Sequence, residues 1–284
     1  MTAAPTVSSQ EAAAGVVAGF LLAKNAHDPH ATHAYFHGDR CAFTDATLGI
    51  QFVGNAAVRT LWDQLLPPLP AGAHSRATRI VGGPSSFIVF VTNSPEMFGS
   101  EIRSVAVVDI EDDRVVRWVD YWDGRTMAAG RIDELRAPAG TFPTSFGEDL
   151  VGPRPRFAVD DAAHRLAEAL SGGDSSAAAS MMAPDAFLED VTLRVALRGS
   201  AAVERFLARS LPDLPWGTGA RLRHVTGEGG AGGFEWIGDR AAPSGVACIQ
   251  LDESGQITRL TTVWDGTQLN AETLSTLVVA ATTP

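Results

Sequence analysis

The chain has 284 residues, of which 45% are hydrophobic and 19% charged, and its formal net charge is −11. A domain has roughly 100–200 residues, so the length predicts two domains, and the composition excludes an intrinsically disordered chain. The acidic balance argues against nucleic acid and against an anionic membrane surface as partners, because phosphate groups bind clustered Lys and Arg.

The first predicted element is a helix over residues 9–26. Its apolar run follows Glu11 without a preceding basic residue, which is typical of an ordinary helix rather than a signal peptide and predicts a cytoplasmic protein. Lys24, the only lysine, follows in a polar stretch. We expect that stretch to keep the amine hydrated, which argues against Schiff-base chemistry.

A short second helix is predicted to begin at Pro29, since proline suits the first helical position. Four of the seven histidines lie at or near it: His27, His30, His33 and His37. The apolar positions are Thr32, Tyr35 and Phe36, so the histidines should point outward, and we expect no metal site. Tyr35 is instead expected to reach the domain interior.

The elements that follow predict a sheet. Cys41, Phe43 and Asp45 alternate along a first strand, and a third helix after Gly54 carries Trp62 on its apolar stripe. Three further strands are predicted over residues 86–93, 101–110 and 114–123. This order is typical of an α+β domain in which about three helices pack on the concave face of a curved antiparallel sheet.

The second half of the chain repeats the first. Asp45-Ala-Thr47 corresponds to Asp190-Val-Thr192, and Trp122-Asp-Gly124 corresponds to Trp264-Asp-Gly266 at a slightly shorter spacing. Matching landmarks in the same order predict tandem copies of one domain. The predicted domains are residues 1–136 and 157–284, joined by a linker over 137–156.

The motifs resemble a known family. Asp28-Pro29, Phe43-Thr-Asp45, Gly54-x-x-x-Val58 and Trp118-Val-Asp-Tyr-Trp-Asp123 resemble the SnoaL-like branch of the nuclear-transport-factor-2-like (NTF2-like, cone) superfamily. That branch includes polyketide cyclases and limonene-epoxide-hydrolase-like enzymes. Two such domains in one chain are similar to the epoxide hydrolase/cyclases of polyether pathways. The resemblance covers both copies and implies two tandem cone-shaped domains.

The resemblance implies roles for two carboxylates. Asp45 falls where ketosteroid isomerases and polyether cyclases hold a catalytic acid, and Asp120 falls where SnoaL-like cyclases and epoxide hydrolases hold one. The chain departs from the family at Arg103-Ser-Val105, which lacks the aspartate of the Arg-x-Asp motif of limonene-type epoxide hydrolases. Residues 70–74 also lack the glutamate that polyether cyclases carry near the end of the third helix.

The residue pattern itself supports acid/base chemistry. Trp118, Asp120 and Trp122 alternate on one face of the last strand, so an inward-facing Asp120 would lie between two indoles. Desolvation should raise the pKa of Asp120 and make it a general acid. Asp45, nearer the mouth of the same cone, should stay ionised and act as the base. Tyr35, Trp62, Arg103, Trp118 and Trp122 are the expected lining of the substrate pocket.

The second copy differs at one of these positions. Asp190 matches Asp45, and Trp264 is expected to line a second pocket, but Thr262 stands where the first copy has Asp120. The first cone is therefore predicted to be catalytic and the second to have diverged. Val119 and Tyr121 face the opposite side of the sheet, which predicts packing either between the copies, as an intramolecular pseudo-dimer, or against a second chain in a homodimer.

The leading hypothesis is a cyclase of natural-product biosynthesis that uses acid/base catalysis and needs no cofactor. Its partner would be a hydrophobic small molecule, a bulky oxygenated polyketide or terpenoid, cyclised directly or through an epoxide. One alternative is an allylic isomerase or dehydratase that uses Asp45 alone. Another is a non-catalytic small-molecule binding or scaffold protein.

Overall fold

A computed structural model describes residues 9–128, 130–238 and 244–283, excluding the side chains of 9–12 and 139. Within these residues the chain forms two six-stranded sheets, one from each half, with helices on each. The strand order is β2-β1-β6-β5-β4-β3 in the first sheet and β8-β7-β12-β11-β10-β9 in the second. The identical order confirms the α+β class and the tandem arrangement of two cone-shaped domains.

The first copy contains five α-helices and six strands among its described residues. The helices are α1 (Ser9–Asn25), α2 (Pro29–His33), α3 (Asn55–Leu65), α4 (Pro95–Phe98) and α5 (Arg131–Leu135). The strands are β1 (Ala42–Asp45), β2 (Ile50–Val53), β3 (Ser75–Gly82), β4 (Ser86–Asn93), β5 (Ile102–Glu111) and β6 (Arg114–Tyr121). A 3₁₀ turn at Gly124–Thr126 precedes α5.

The second copy follows the same plan. Its helices are α6 (Ala158–Ser171), α7 (Ser175–Ser180), α8 (Ser200–Ser210) and α9 (Ala271–Thr282). Its strands are β7 (Met182–Asp190), β8 (Val195–Arg198), β9 (Arg221–Glu228), β10 (Ala231–Ile237), β11 (Ser244–Leu251) and β12 (Ile257–Trp264). Among the helices of the described ranges, none has the length and apolar character that a membrane span requires.

The sheets are mixed rather than antiparallel, which corrects the sequence prediction. Strand β1 pairs in parallel with β6, and β7 pairs in parallel with β12. Residue alternation shows which side chains share a face of a strand, but it does not show which strands become neighbours. The parallel pairing could not be predicted in this way, because β1 and β6 lie at opposite ends of the domain sequence. The pattern also missed β2, which is only four residues long, and β3, in which only Ser75 and Val81 are buried.

Helices α1 and α3 close the concave face of the first sheet. Val17 and Phe20 of α1 and Val58 and Trp62 of α3 are all buried in one cluster with the sheet. The rings of Phe20 and Trp62 meet edge to face at 5.7 Å. These residues recur at helical spacing, so the amphipathic stripe seen in the sequence is the face that covers the sheet.

The convex faces of the two sheets pack against each other. Val107 and Val119 of the first sheet lie in one buried cluster with Val246 and Val263 of the second. The loops that follow the last strand of each copy make reciprocal hydrogen bonds. Gly266 donates its N–H to Asp123 at 3.2 Å, and Gly124 donates its N–H to Asp265 at 3.1 Å. The apolar convex face therefore packs copy against copy within the chain.

A buried ionic cluster lies within this contact. Arg117 has no exposed side-chain surface and pairs with Asp109 of its own sheet, at 3.3 Å, and with Glu235 of the other. Tyr121 donates its hydroxyl to Glu235 at 2.6 Å, and His224 lies 3.1 Å from Asp109. Because charges need partners when water is removed, this cluster fixes how the two sheets meet.

Candidate active site

The concave side of the first sheet encloses a cavity of about 400 Å³. This volume lies in the range of roughly 300–1,000 Å³ that small-molecule sites occupy. Its wall is largely apolar, and four polar side chains are of chemical interest: Lys24, Asp45, Asn93 and Asp120.

Five of the predicted site residues line this cavity. They are Asp45, Trp62, Trp118, Asp120 and Trp122. Asp45 and Asp120 are direct register partners on the parallel strands β1 and β6. Neighbouring strands lie about 4.8 Å apart and register partners point to the same face, so the two carboxyl groups are adjacent on the cavity floor.

Each carboxyl group accepts a hydrogen bond from an indole. Trp118 donates Nε1–H to Asp120 Oδ1 at 3.0 Å, and Trp122 donates Nε1–H to Asp45 Oδ2 at 3.0 Å. The backbone N–H of Leu48 also donates to Asp45 Oδ1 at 2.9 Å. The tryptophans predicted to flank Asp120 are therefore shared between the two carboxyl groups, and they orient both.

Lys24 also lines the cavity, contrary to the expectation that it remains hydrated. Its Nζ donates to Asn93 Oδ1 at 3.3 Å. The polar neighbours in sequence were misleading, because α1 ends at Asn25 and the side chains of Asn25 and His27 contact the backbone of Ser75 and Ala73. Lys24 lies on the stripe that contains Val17, Phe20 and Leu21, and this helical spacing was the signal that could have placed it inside.

Burial and neighbouring charges shift the pKa values of both carboxyl groups. Burial raises the pKa of both, and the charge of Asp120 further raises the pKa of Asp45, to about 7. The positive charge of Lys24 opposes the rise in the pKa of Asp120. Near neutral pH, therefore, Asp45 is protonated in a substantial fraction of molecules, and the charge of Lys24 favours the ionised form of Asp120.

Tyr35 and Arg103, also predicted for the pocket, are not among the residues that line this cavity. Tyr35 packs its ring edge to face on Phe20 at 6.2 Å, and its hydroxyl occupies the space that a Cβ on Gly19 would need. Arg103 is exposed and pairs with Glu101 at 2.9 Å. Its strand neighbours on both sides line the cavity, so alternation turns Arg103 to the other face.

In the second copy the corresponding carboxyl group is closed off. Asp190 is fully buried and accepts Nε1–H from Trp216 at 2.9 Å and from Trp264 at 3.0 Å. Thr262 lies in register with Asp190, as Asp120 does with Asp45. Trp216 was not foreseen, because the first copy has no tryptophan at the matching place. The second cone thus holds one carboxyl group packed under two indoles, without a carboxyl partner.

The histidines near α2 are not among the residues that line the cavity, and two of them contact backbone carbonyl groups. His27 Nε2 lies 3.1 Å from the carbonyl oxygen of Ala73, and His33 Nε2 lies 3.2 Å from that of Asn55. Across the part of the chain that the structure describes, no three His, Cys, Asp or Glu side chains are grouped as a metal site would require.

Comparison with known proteins gives similarity in structure alone. No family model matches the chain, and no curated protein matches it. An M. tuberculosis LEH-like epoxide hydrolase is 20% identical with a TM-score of 0.35, and the match covers 42% of this chain and 87% of that one. A candidate SnoaL-like polyketide cyclase of Shewanella denitrificans is 17% identical with a TM-score of 0.34, covering 40% and 91%.

Two further solved structures are similar to part of this chain. A candidate ketosteroid isomerase of Kribbella flavida is 16% identical with a TM-score of 0.35, covering 53% of this chain and 96% of that one. An NTF2-like protein of unknown function from Burkholderia xenovorans is 20% identical with the same TM-score, covering 46% and 98%. Each match spans about half of the chain.

The state of Asp45 predicts a pH-dependent stability. Its pKa is about 7 in the folded protein and about 3.9 in an unfolded chain, so the unfolded state releases this proton first. The free energy of unfolding should therefore fall as pH rises from about 4 to about 7, and then level off. Asp45→Asn removes this effect, and relative to the parent protein the variant should gain roughly 2–4 kcal/mol between pH 5 and pH 8.

Urea unfolding of both proteins at a series of pH values measures the difference. The pKa of Asp109 is lowered to about 2 by His224 and Arg117 despite its burial. Its effect on the free energy of unfolding therefore has the opposite sign and is confined to pH values below about 4. This effect is common to the parent and the variant, so it cancels in the difference between them. A difference between the variant and the parent that is independent of pH would contradict the protonated state of Asp45.

Proposed function

We propose that the first copy is an acid/base enzyme that converts a bulky, largely apolar, oxygenated small molecule. The observation that carries this proposal is the Asp45–Asp120 pair on the floor of an apolar cavity that Lys24 also lines. Two neighbouring carboxyl groups can supply an acid and a base at the same pH when one holds its proton and the other is ionised.

In the mechanism, Asp45 is the acid and Asp120 is the base. Asp45 gives its proton to an epoxide or carbonyl oxygen of the substrate, and the carboxylate formed is stabilised by the N–H groups of Trp122 and Leu48. Asp120 takes the proton from the attacking hydroxyl group. When a hydroxyl of the substrate attacks an epoxide carbon, the carbon–oxygen bond of the epoxide breaks as the ring bond forms. The two carboxyl groups then exchange protons with solvent to restore their initial states.

We infer that the favoured reaction is cyclisation of a polyketide or terpenoid by epoxide opening, in the biosynthesis of a natural product. The cavity volume and apolar wall suit such a compound. A pKa of about 7 also leaves Asp45 half-ionised at neutral pH, so an allylic isomerase that uses Asp45 as its base is a second candidate. The second cone, whose carboxyl group is covered by two indoles, serves as the structural partner of the first.

An assay with two probes tests the proposal. The probes are an epoxy alcohol that closes to a cyclic ether and an apolar β,γ-unsaturated ketone, with products identified by mass spectrometry. We expect the protein to cyclise the epoxy alcohol, with a rate that falls as pH rises through about 7 because protonated Asp45 is lost. Asp45→Asn should lower kcat/KM by roughly 10²–10⁴, the usual range for a general acid.

The matched control is Asp63→Asn, an exposed carboxylate paired with Arg59 on α3, which should retain the parent activity. Turnover of the ketone alone would favour the isomerase. Tight binding of both probes without turnover would identify a binding protein and overturn the proposal, as would full activity in the Asp45→Asn variant.

A further inference from the structure

The amine of Lys24 has an unusual position for a lysine. It is the only lysine in the 284 residues, and it lines the same cavity as the two carboxyl groups. Its Nζ donates to Asn93 Oδ1, which also accepts the hydroxyl of Ser75 at 2.7 Å. Asn93 and Ser75 are both buried, so a fixed acceptor holds the amine at the cavity wall.

The surroundings of the amine favour its nucleophilic form. Phe20, Leu21 and Val91 line the cavity with it, and burial lowers the pKa of Lys24 although the charge of Asp120 opposes this effect. A desolvated lysine in an apolar pocket is neutral in a larger fraction of molecules than a surface lysine, and only the neutral amine attacks a carbonyl carbon.

We propose that Lys24 forms a covalent imine with an apolar ketone or aldehyde bound in this cavity. This rests on the proposed acid/base function and names the substrate class that the site accepts. The amine nitrogen attacks the carbonyl carbon, and Asp45 protonates the carbonyl oxygen. Asp120 removes a proton from the nitrogen and returns it to the hydroxyl group, which leaves as water as the carbon–nitrogen double bond forms, and the remaining N–H proton passes to Asp45. One carbonyl and one amine thus give one imine and one water.

The imine is compatible with the charges already in the cavity. Once protonated, it carries the same positive charge as the lysine that it replaces, so it continues to oppose the rise in the pKa of Asp120. An iminium group acidifies the neighbouring C–H bond, and the Asp120 carboxylate can accept that proton to leave an enamine. The site would therefore support isomerisation or aldol-type carbon–carbon bond formation on a carbonyl substrate.

Reductive trapping tests the imine directly. The full-length protein is incubated with 6-methoxy-2-naphthaldehyde and sodium cyanoborohydride, which reduces an iminium to a stable secondary amine, and the adduct is located by peptide mass mapping. We expect an adduct on Lys24 that forms at least about tenfold faster in the folded protein than in urea, because the cavity binds the aldehyde and desolvates the amine. Equal rates in the two states, or no adduct on Lys24, would overturn the proposal.

Two variants sharpen the result. Lys24→Arg keeps the positive charge but cannot form an imine, so it should lose the adduct at this position while keeping the pKa of Asp45 near 7 in an NMR titration. Asp63→Asn, on the exposed face of α3, should form the adduct at the parent rate. Persistence of the naphthaldehyde adduct on the peptide of the Lys24→Arg variant would overturn the assignment.

The two proposals fail in different ways. If no adduct forms on Lys24 but Asp45→Asn abolishes turnover of the epoxy alcohol, the imine is wrong and the acid/base function stands. If the adduct forms on Lys24 but Asp45→Asn retains full turnover, the imine is supported and the acid role of Asp45 is wrong.

Discussion

Replacing Asp120 with asparagine is expected to lower kcat/KM for the epoxy alcohol by roughly 10²–10⁴ and, in the same protein, to lower the pKa of Asp45 below 7. The first effect follows from loss of the proposed base. The second follows because the charge of Asp120 is one of the two causes that raise the pKa of Asp45, the larger being burial. Steady-state kinetics measure the first effect, and an NMR titration of the Asp45 carboxyl carbon measures the second.

The two readouts separate catalysis from simple structural damage. A misfolded cavity would lower activity without a defined change in the pKa of Asp45. Asp63→Asn should change neither quantity, since its carboxylate lies on the exposed side of α3. If Asp120→Asn keeps full activity, or if the pKa of Asp45 stays near 7 in that variant, the two carboxyl groups are not coupled as proposed.

Replacing Glu235 with leucine is expected to lower the free energy of unfolding by about 3–5 kcal/mol. Glu235 is fully buried between the two sheets and is the acceptor for both Arg117 and the Tyr121 hydroxyl. Its removal leaves the guanidinium with Asp109 as its remaining carboxylate partner, in a place that water does not reach. Urea unfolding monitored by tryptophan fluorescence measures the loss.

An exposed ion pair at the start of β5, in the first sheet, provides the control. Glu101 pairs with Arg103 at the surface, so Glu101→Gln should change the free energy of unfolding by no more than about 1 kcal/mol. The double variant Arg117→Met with Glu235→Leu should lose less than the sum of the single losses, because the partners are removed together. A loss below about 1 kcal/mol in Glu235→Leu would mean that water reaches the cluster.

Residue alternation and repetition made much of the site predictable. Trp118, Asp120 and Trp122 share a strand face wherever that strand lies in the sheet, because the side-chain period of a strand is local. The tandem copies followed from matching landmarks, and the presence of Thr262 at the Asp120 position was visible without a structure. These features depend on neighbours in the sequence or on comparison of the chain with itself.

The sequence by itself therefore determined the repeated α+β fold, the carboxyl groups that face one cavity and the loss of one of them in the second copy. Only the tertiary structure decided that β1 and β6 are parallel neighbours and that Lys24 lines the same cavity as Asp120. It also showed that burial and the charge of Asp120 raise the pKa of Asp45. Strand neighbours, burial and the distances between charges depend on contacts between residues far apart in the chain, and local periodicity carries no information about them.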